Sequence, residues 1–70
     1  MRRQPVRSSN IRSIGYEQET KTLEVEFHSG DVYQYSGVTE TAYQGLMQAA
    51  SKGSYLHNHI KNKYSYRQVR

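Results

Sequence analysis

The clearest feature of the chain is an alternation of apolar and polar residues between positions 22 and 28. Apolar side chains occupy the odd positions of this segment, and polar ones, including Glu24 and Glu26, occupy the even positions. A period of two is typical of a β-strand with one buried face and one face in water. The pattern therefore predicts a strand over Thr22–His28, with Glu24 and Glu26 on the wet face.

Two further strands are predicted around this one. The segment 11–16 comes before it, and Ile14 and Tyr16 share one face of that segment at a period of two. Gly15 between them weakens the strand or marks a bulge. The segment 32–36 follows the central strand and completes a predicted meander.

The length of the second loop decides the position of the two tyrosines in the third predicted strand. A two-residue loop places Tyr33 opposite Glu26, on the wet face, and Tyr35 follows it there. A three-residue loop over 29–31 places Tyr33 opposite Phe27, on the core face. We favour the longer loop, because so small a domain needs both rings in its core, and its glycine or aspartate supplies the left-handed conformation.

A helix is predicted to begin near Thr39, which is suited to be its N-cap, with Glu40 in the first turn. Gly53 is suited to end this helix. Gly45 is expected to lower helix stability by roughly 1 kcal/mol relative to alanine, unless close packing requires a glycine there. The helix presents one apolar face, formed by Ala42, Tyr43, Leu46, Met47 and Ala50.

A second helix is predicted from a Ser54 cap to about Lys63, and residues 64–69 suggest a short edge strand. The buried face of this second helix is predicted to consist of residues four apart: Leu56, Ile60 and Tyr64. The predicted fold class is α+β, a three-stranded antiparallel meander followed by two short helices, with a possible fourth short edge strand.

The length of 70 residues predicts one domain. The chain has no cysteine, so no disulfide framework is expected to support it. We interpret residues 1–10 as a basic arm and residues 11–70 as the domain. No apolar stretch follows the first arginines, so we expect no signal peptide, no membrane association and a cytoplasmic location.

The net charge of +4 is unevenly distributed. Residues 1–12 hold four arginines and no acid, and residues 51–70 hold five cations and no acid. Residues 13–50 hold six acids against Lys21. If the two ends meet, they form one cationic patch that favours polyanions. The alternatives are that they only add solubility, or that they dock against the acidic middle.

A set of short segments follows the chain in a recognisable order: Arg7-Ser-Ser-Asn-Ile11, Gly15-Tyr16, Leu23-Glu-Val-Glu-Phe27, Gly30-Asp-Val-Tyr-Gln-Tyr35, Ala50-Ser-Lys-Gly-Ser-Tyr55, Ile60 and Tyr64. This ordered set resembles the KTSC domain, a family named after the C-terminal domain of some lysyl-tRNA synthetases and found also as small bacterial proteins. The resemblance covers nearly the whole chain and includes a central Tyr-x-Tyr. The family has no established activity to carry over, and the resemblance implies a role in RNA binding.

Catalysis is not expected, because no serine lies in a nucleophile motif beside a base and an orienting group. A metal site is not expected either. His57 and His59 are two apart on a predicted helix and project about 160° from each other, and His28 belongs to a strand. We predict no cofactor.

Nucleic-acid binding has the support of cations for phosphates and of aromatic rings for stacking bases. Tyr33 and Tyr35 are predicted to have a structural role in core packing instead of contacting nucleic acid. The alternative is a protein-interaction module that uses an open strand edge or the acidic wet face. The candidate nucleic-acid-binding residues are Arg3, Arg7, Arg12, Lys52, Lys61, Lys63, Arg67, Arg70, Tyr55 and Tyr66.

Overall fold

Five antiparallel strands lie side by side in chain order in the computed structural model, which describes residues 1–70. The prediction of three strands with a possible fourth was therefore too low. The possible edge strand is real, and the predicted arm adds another at the opposite edge. The strands are β1 (Gln4–Pro5), β2 (Ile11–Glu17), β3 (Thr22–Phe27), β4 (Val32–Tyr35) and β5 (Tyr66–Gln68).

The strand β1 was missed because it is only two residues long and contains Pro5. Proline cannot donate a ladder hydrogen bond, so it is tolerated on an edge strand. Gly15 allows this edge to form, since a Cβ at that position would lie 2.7 Å from the carbonyl oxygen of Arg2. The bulge of β2 lies instead between Ile11 and Ser13.

The β3–β4 loop has three residues, as favoured, but it covers 28–30 and not 29–31. The backbone N–H of Phe27 donates to the carbonyl of Asp31 at 2.9 Å, and Gly30 takes the left-handed conformation with φ +97°. Tyr33 therefore pairs with Val25 rather than with Phe27. The shift by two residues leaves the face unchanged, so the tyrosines of β4 lie on the side of the core.

The face that carries Glu24 and Glu26 is not wet, contrary to the prediction. Glu24 is only 7% exposed, and Val32, which pairs with Glu26, is 1% exposed. We call this side of the sheet the far face; it consists of Ser13, Gly15, Glu24, Glu26, Val32 and Gln34. The period-two alternation predicted the polarity of the far face correctly. It predicted the exposure of that face wrongly, because side chains from both chain ends cover it.

The helix α1 covers Glu40–Gln48, and the Thr39 side chain accepts from the N–H of Ala42 as the predicted cap. It ends before Gly53. Ser51, and not Ser54, caps the next helix, α2 (Lys52–Tyr55), because its hydroxyl accepts from the N–H of Ser54. A π-helical turn, Leu56–Ile60, continues α2 in place of the predicted regular helix to Lys63.

The helices pack on the side of the sheet opposite the far face. Gly45 of α1 lies against Tyr55 of α2, so a Cβ at position 45 would collide with the hydroxyl of Tyr55 unless that side chain moved. None of the helices is long and apolar enough to cross a membrane. The buried apolar core consists of Ile11, Ile14, Leu23, Val25, Tyr35, Val38, Leu46, Leu56 and Ile60.

Candidate functional site

A groove of about 350 Å³ opens between the edge of the sheet at β4 and β5 and the π-helical turn. Sheet and helix contribute opposite walls. Aromatic rings come from the strands, and polar side chains come from the turn and from the segment before β2. The lining residues are Asn10, Phe27, Tyr33, Tyr35, Gly53, Leu56, His57, Lys61 and Tyr66.

Four aromatic side chains form the strand wall of this groove. The Tyr33 ring meets Phe27 edge-on, with centroids 5.7 Å apart. The Tyr66 ring rests against both Tyr33 and Tyr35, at 5.6 Å from each centroid. Tyr66 is nevertheless 53% exposed. An aromatic ring that packs against two other rings and is still open to solvent is suited to stack against a planar ligand.

Tyr35 brings a polar group to the floor of the groove. Its side chain is 3% exposed and lines the groove, and its hydroxyl forms no hydrogen bond within the protein. Every side-chain nitrogen or oxygen that is fully buried has a hydrogen-bond partner. The Tyr35 hydroxyl has none, so it is not fully buried and is open to the groove that Tyr35 lines. Burial, with a smaller effect of Tyr33 and Tyr66, raises the pKa of Tyr35 to about 12. The hydroxyl is a protonated donor at neutral pH, as that of an ordinary tyrosine is, and the raised pKa extends this state to higher pH.

The helix wall of the groove is polar. His57 and Lys61 are four residues apart on the π-helical turn, which the N–H of Lys61 closes by donating to the carbonyl of Leu56 at 2.8 Å. The Asn10 amide lies on the same side, close to the backbone of Gly53. All three side chains are free of hydrogen bonds within the protein, and no carboxylate lines the groove. The groove therefore favours a ligand that is planar and carries negative charge.

One arginine from each basic chain end reaches the far face and pairs with a glutamate there. Arg3 pairs with Glu24, and its Nη2 lies 3.7 Å from Glu26. Arg70 pairs with Glu26 at 3.3 Å. The two ends thus meet on the far face, and two of their arginines are engaged in ion pairs within the protein.

Hydrogen bonds support both glutamates of the far face. Burial raises the pKa of Glu24, but hydrogen bonds donated by Gln34 and Arg3 outweigh this effect and leave the pKa below its usual value. The Ser13 hydroxyl donates to Glu26 at 2.8 Å and is the main cause of the lowered pKa of Glu26. The carboxylates of both residues are therefore stabilised in the charged form.

Only Lys61 and Tyr66 of the predicted nucleic-acid-binding residues line the groove. Arg67 lies on the far face, where it donates to Gln34 at 3.3 Å. Tyr55 packs between the helices, 4.6 Å from the His59 ring. The remaining cations each lie elsewhere: Arg12 donates to the His28 carbonyl at 3.2 Å and Lys52 to the Ala49 carbonyl at 3.4 Å, while Arg7 and Lys63 are exposed.

Sequence reasoning missed Asn10, Phe27 and His57 as members of this site. The tyrosines of β4 were assigned to the core, and Tyr33 in fact contributes to both the core and the groove. His57 and Lys61 are four residues apart and share one face of the predicted second helix, so their proximity was available from the sequence, whereas the sheet edge that faces them was not. Nowhere does the fold bring together three or more His, Asp or Glu side chains that could hold a metal ion.

The architecture defines a small α+β domain with one aromatic groove, and comparison with known proteins identifies its family. The family model of the KTSC domain matches residues 7–64. A crystal structure of a KTSC domain protein from Yersinia pestis superposes with a TM-score of 0.95, at 45% identity, over 99% of this chain and 97% of the other. The chain belongs to the KTSC domain family.

Relatives of two sizes share this domain. A lysine–tRNA ligase of Trichormus variabilis is 46% identical over 61 residues, which cover 87% of this chain but only 11% of the ligase. An uncharacterised protein of Stutzerimonas stutzeri is 40% identical over 64 residues, covering 91% of this chain and 90% of that protein. The domain therefore occurs both as a small protein and within a much longer enzyme.

Proposed function

We propose that this domain is a non-catalytic module that binds RNA through the aromatic groove. The observation that carries the proposal is the composition of that groove: four aromatic rings, Lys61, and no carboxylate. Sequence-tolerant binding of single strands combines aromatic stacking surfaces with cations that contact the backbone. A groove that joins both features in one small domain is suited to that ligand.

The charge distribution is compatible with this choice of surface. Arg3 and Arg70 are engaged by Glu24 and Glu26. Outside these pairs the chain retains eight cations against four carboxylates, so an excess of positive charge remains to attract a polyanion. The proposal therefore depends on the groove, and the remaining excess of positive charge adds only a general attraction for a polyanion.

The relationship to a lysine–tRNA ligase supports RNA as the ligand class, because the name of that relative identifies tRNA as its substrate. This chain spans 11% of the ligase, so the activity of the whole enzyme is not carried over. We propose that the shared domain contributes an RNA contact in both settings.

A protein-interaction module is the second candidate, and the outer edge of β5 is the feature that favours it. Tyr66 and Val69 leave 53% and 42% of their surfaces exposed there, and an open edge can accept a strand from a partner. Only three residues form this strand, and the acidic face that would attract a basic partner is occupied by Arg3 and Arg70. RNA is therefore the better-supported partner.

The test is a fluorescence-anisotropy titration of labelled tRNA at several salt concentrations. Binding should weaken steeply with salt, because each phosphate contact adds roughly 0.7 (single strand) to 0.9 (duplex) to the log–log slope. Absence of binding at low salt to tRNA, to single strands and to duplex would contradict the proposal. Capture of a protein partner that survives nuclease treatment, without RNA binding, would favour the strand-edge alternative.

A further inference from the structure

The dimensions of the groove limit how much of a nucleic acid it can hold. Its volume of about 350 Å³ lies at the lower end of the range for pockets that enclose small organic molecules. In a duplex each base is stacked on both sides and paired at its edge. Only an unpaired base can therefore present a free face to the groove.

The groove offers this free face a matching surface. The Tyr66 ring packs against the rings of Tyr33 and Tyr35 at centroid distances of 5.6 Å. More than half of its own surface remains in contact with solvent. A supported ring needs little ordering when a base stacks on it, because its position is already determined by its neighbours.

The groove also contains, beside Tyr66, a hydrogen-bond donor that has no partner within the protein. The Tyr35 side chain is 97% buried, given its exposure of 3%, yet its hydroxyl finds no acceptor in the protein. The raised pKa keeps that hydroxyl protonated far above neutral pH. A base edge with carbonyl or ring-nitrogen acceptors supplies the missing acceptor, whereas a purely apolar ligand does not.

On the opposite wall, Lys61 supplies a positive charge, and the Asn10 amide supplies both a donor and an acceptor. Neither group is engaged within the protein. The stacking ring, the buried donor and the cation thus surround one small volume, and each matches a different part of a nucleotide.

We propose that the groove binds one unpaired nucleotide, with its base stacked on Tyr66 and hydrogen-bonded to the Tyr35 hydroxyl, and its phosphate beside Lys61. This inference rests on the proposed function and narrows it, since it names the structural unit of RNA that is recognised. Paired RNA is excluded from the groove, so the domain distinguishes single-stranded segments and ends from helices.

The test compares a labelled unstructured pentanucleotide with a hairpin duplex containing the same sequence, and uses three variants. Tyr66→Ala should weaken strand binding roughly 5- to 150-fold, the range for loss of one stacking ring. Tyr35→Phe keeps the ring and removes the donor, and should weaken binding roughly 2- to 13-fold. Lys61→Ala should weaken binding and lower the salt slope by about 0.7.

Lys63→Ala is the matched control for Lys61→Ala, because Lys63 is an exposed lysine two residues away that does not line the groove. It should leave strand affinity unchanged within about twofold. Circular dichroism and urea unfolding of each variant separate a loss of binding from a loss of folding. A Tyr66→Phe variant keeps the ring and should retain strand affinity.

The outcomes separate the two proposals. Binding of the strand in preference to the duplex, with losses confined to the groove variants, supports the inference. RNA binding that the groove variants weaken equally for strand and duplex overturns the inference and leaves the proposed function intact. Salt-dependent tRNA binding that the groove variants leave unchanged overturns both, because both place the RNA in the groove. Absence of binding to tRNA, strand and duplex overturns both.

Discussion

Arg3 provides the sharpest test of the fold, because a residue predicted to contact nucleic acid is used to secure the first strand. Its side chain crosses the far face over Gly15, donates from Nε to the Ser13 hydroxyl at 3.0 Å, and pairs with Glu24. Glu24 retains only 10% of its side-chain exposure. Replacement of Arg3 by alanine leaves that carboxylate with Gln34 as its remaining side-chain donor.

The size of the effect follows from this geometry. Removal of one partner from a fully buried ion pair costs about 3–5 kcal/mol. Arg3 is 23% exposed, and water can replace part of the lost interaction, so we expect about 2–3 kcal/mol for Arg3→Ala. A domain of this length has a total stability of roughly 4–10 kcal/mol. The melting temperature should fall by roughly 10–20 °C.

Urea unfolding followed by circular dichroism measures this change. Arg7→Ala is the matched control, since Arg7 is exposed and forms no ion pair, and it should change the free energy of unfolding by less than about 0.5 kcal/mol. In a Glu24→Gln background the effect of Arg3→Ala should be smaller by at least about 1 kcal/mol. Two results would refute the stabilising role of the Arg3–Glu24 ion pair. One is an equal loss of stability in the Arg3 and Arg7 variants, and the other is a loss that is purely additive when the Arg3 and Glu24 substitutions are combined.

Three further predictions concern packing and pH. Gly45→Ala should destabilise the protein by about 1–3 kcal/mol despite the better helix propensity of alanine, because the new methyl group would collide with Tyr55; a higher urea midpoint would contradict this. The lowered pKa of Glu24 adds stability that is present above its unfolded pKa of about 4.3 and is lost as the pH falls through the lower folded value, so Glu24→Gln should flatten the acid side of the stability profile. The pKa of Tyr35, raised to about 12, adds stability that is complete below its unfolded pKa of about 10 and is lost as the pH rises through the folded value; Tyr35→Phe should remove the latest phase of the tyrosinate absorbance titration, and an unchanged titration would contradict this.

The fold was predictable where a local pattern determined it. The alternation over residues 22–28 located β3, and Thr39 located the start of α1, because both signals depend on neighbouring residues alone. The strand β1 and the cover of the far face were not predictable, since they depend on Arg3 reaching Glu24, 21 positions along the chain. An acidic residue on a regular polar face therefore turned out to be buried.

The candidate site was predictable only in part for the same reason. Charge counting drew attention to the basic ends, but Arg3 and Arg70 are engaged with glutamates that the fold brings to them. Lys61 and Tyr66 were named from residue type, and their meeting with Tyr35 depends on the pairing of β5 with β4 and on the π-helical turn. A composition of seven tyrosines indicated aromatic packing without showing which ring remains open.

The most direct test of the account is a two-dimensional ¹H–¹⁵N chemical-shift titration with a short single-stranded RNA. The account predicts progressive shifts at Tyr33, Gly53, His57, Lys61 and Tyr66, around the groove, and little change at Glu24 and its neighbours on the far face. Shifts that cluster on the far face, or a spectrum that does not respond to RNA at low salt, would contradict it.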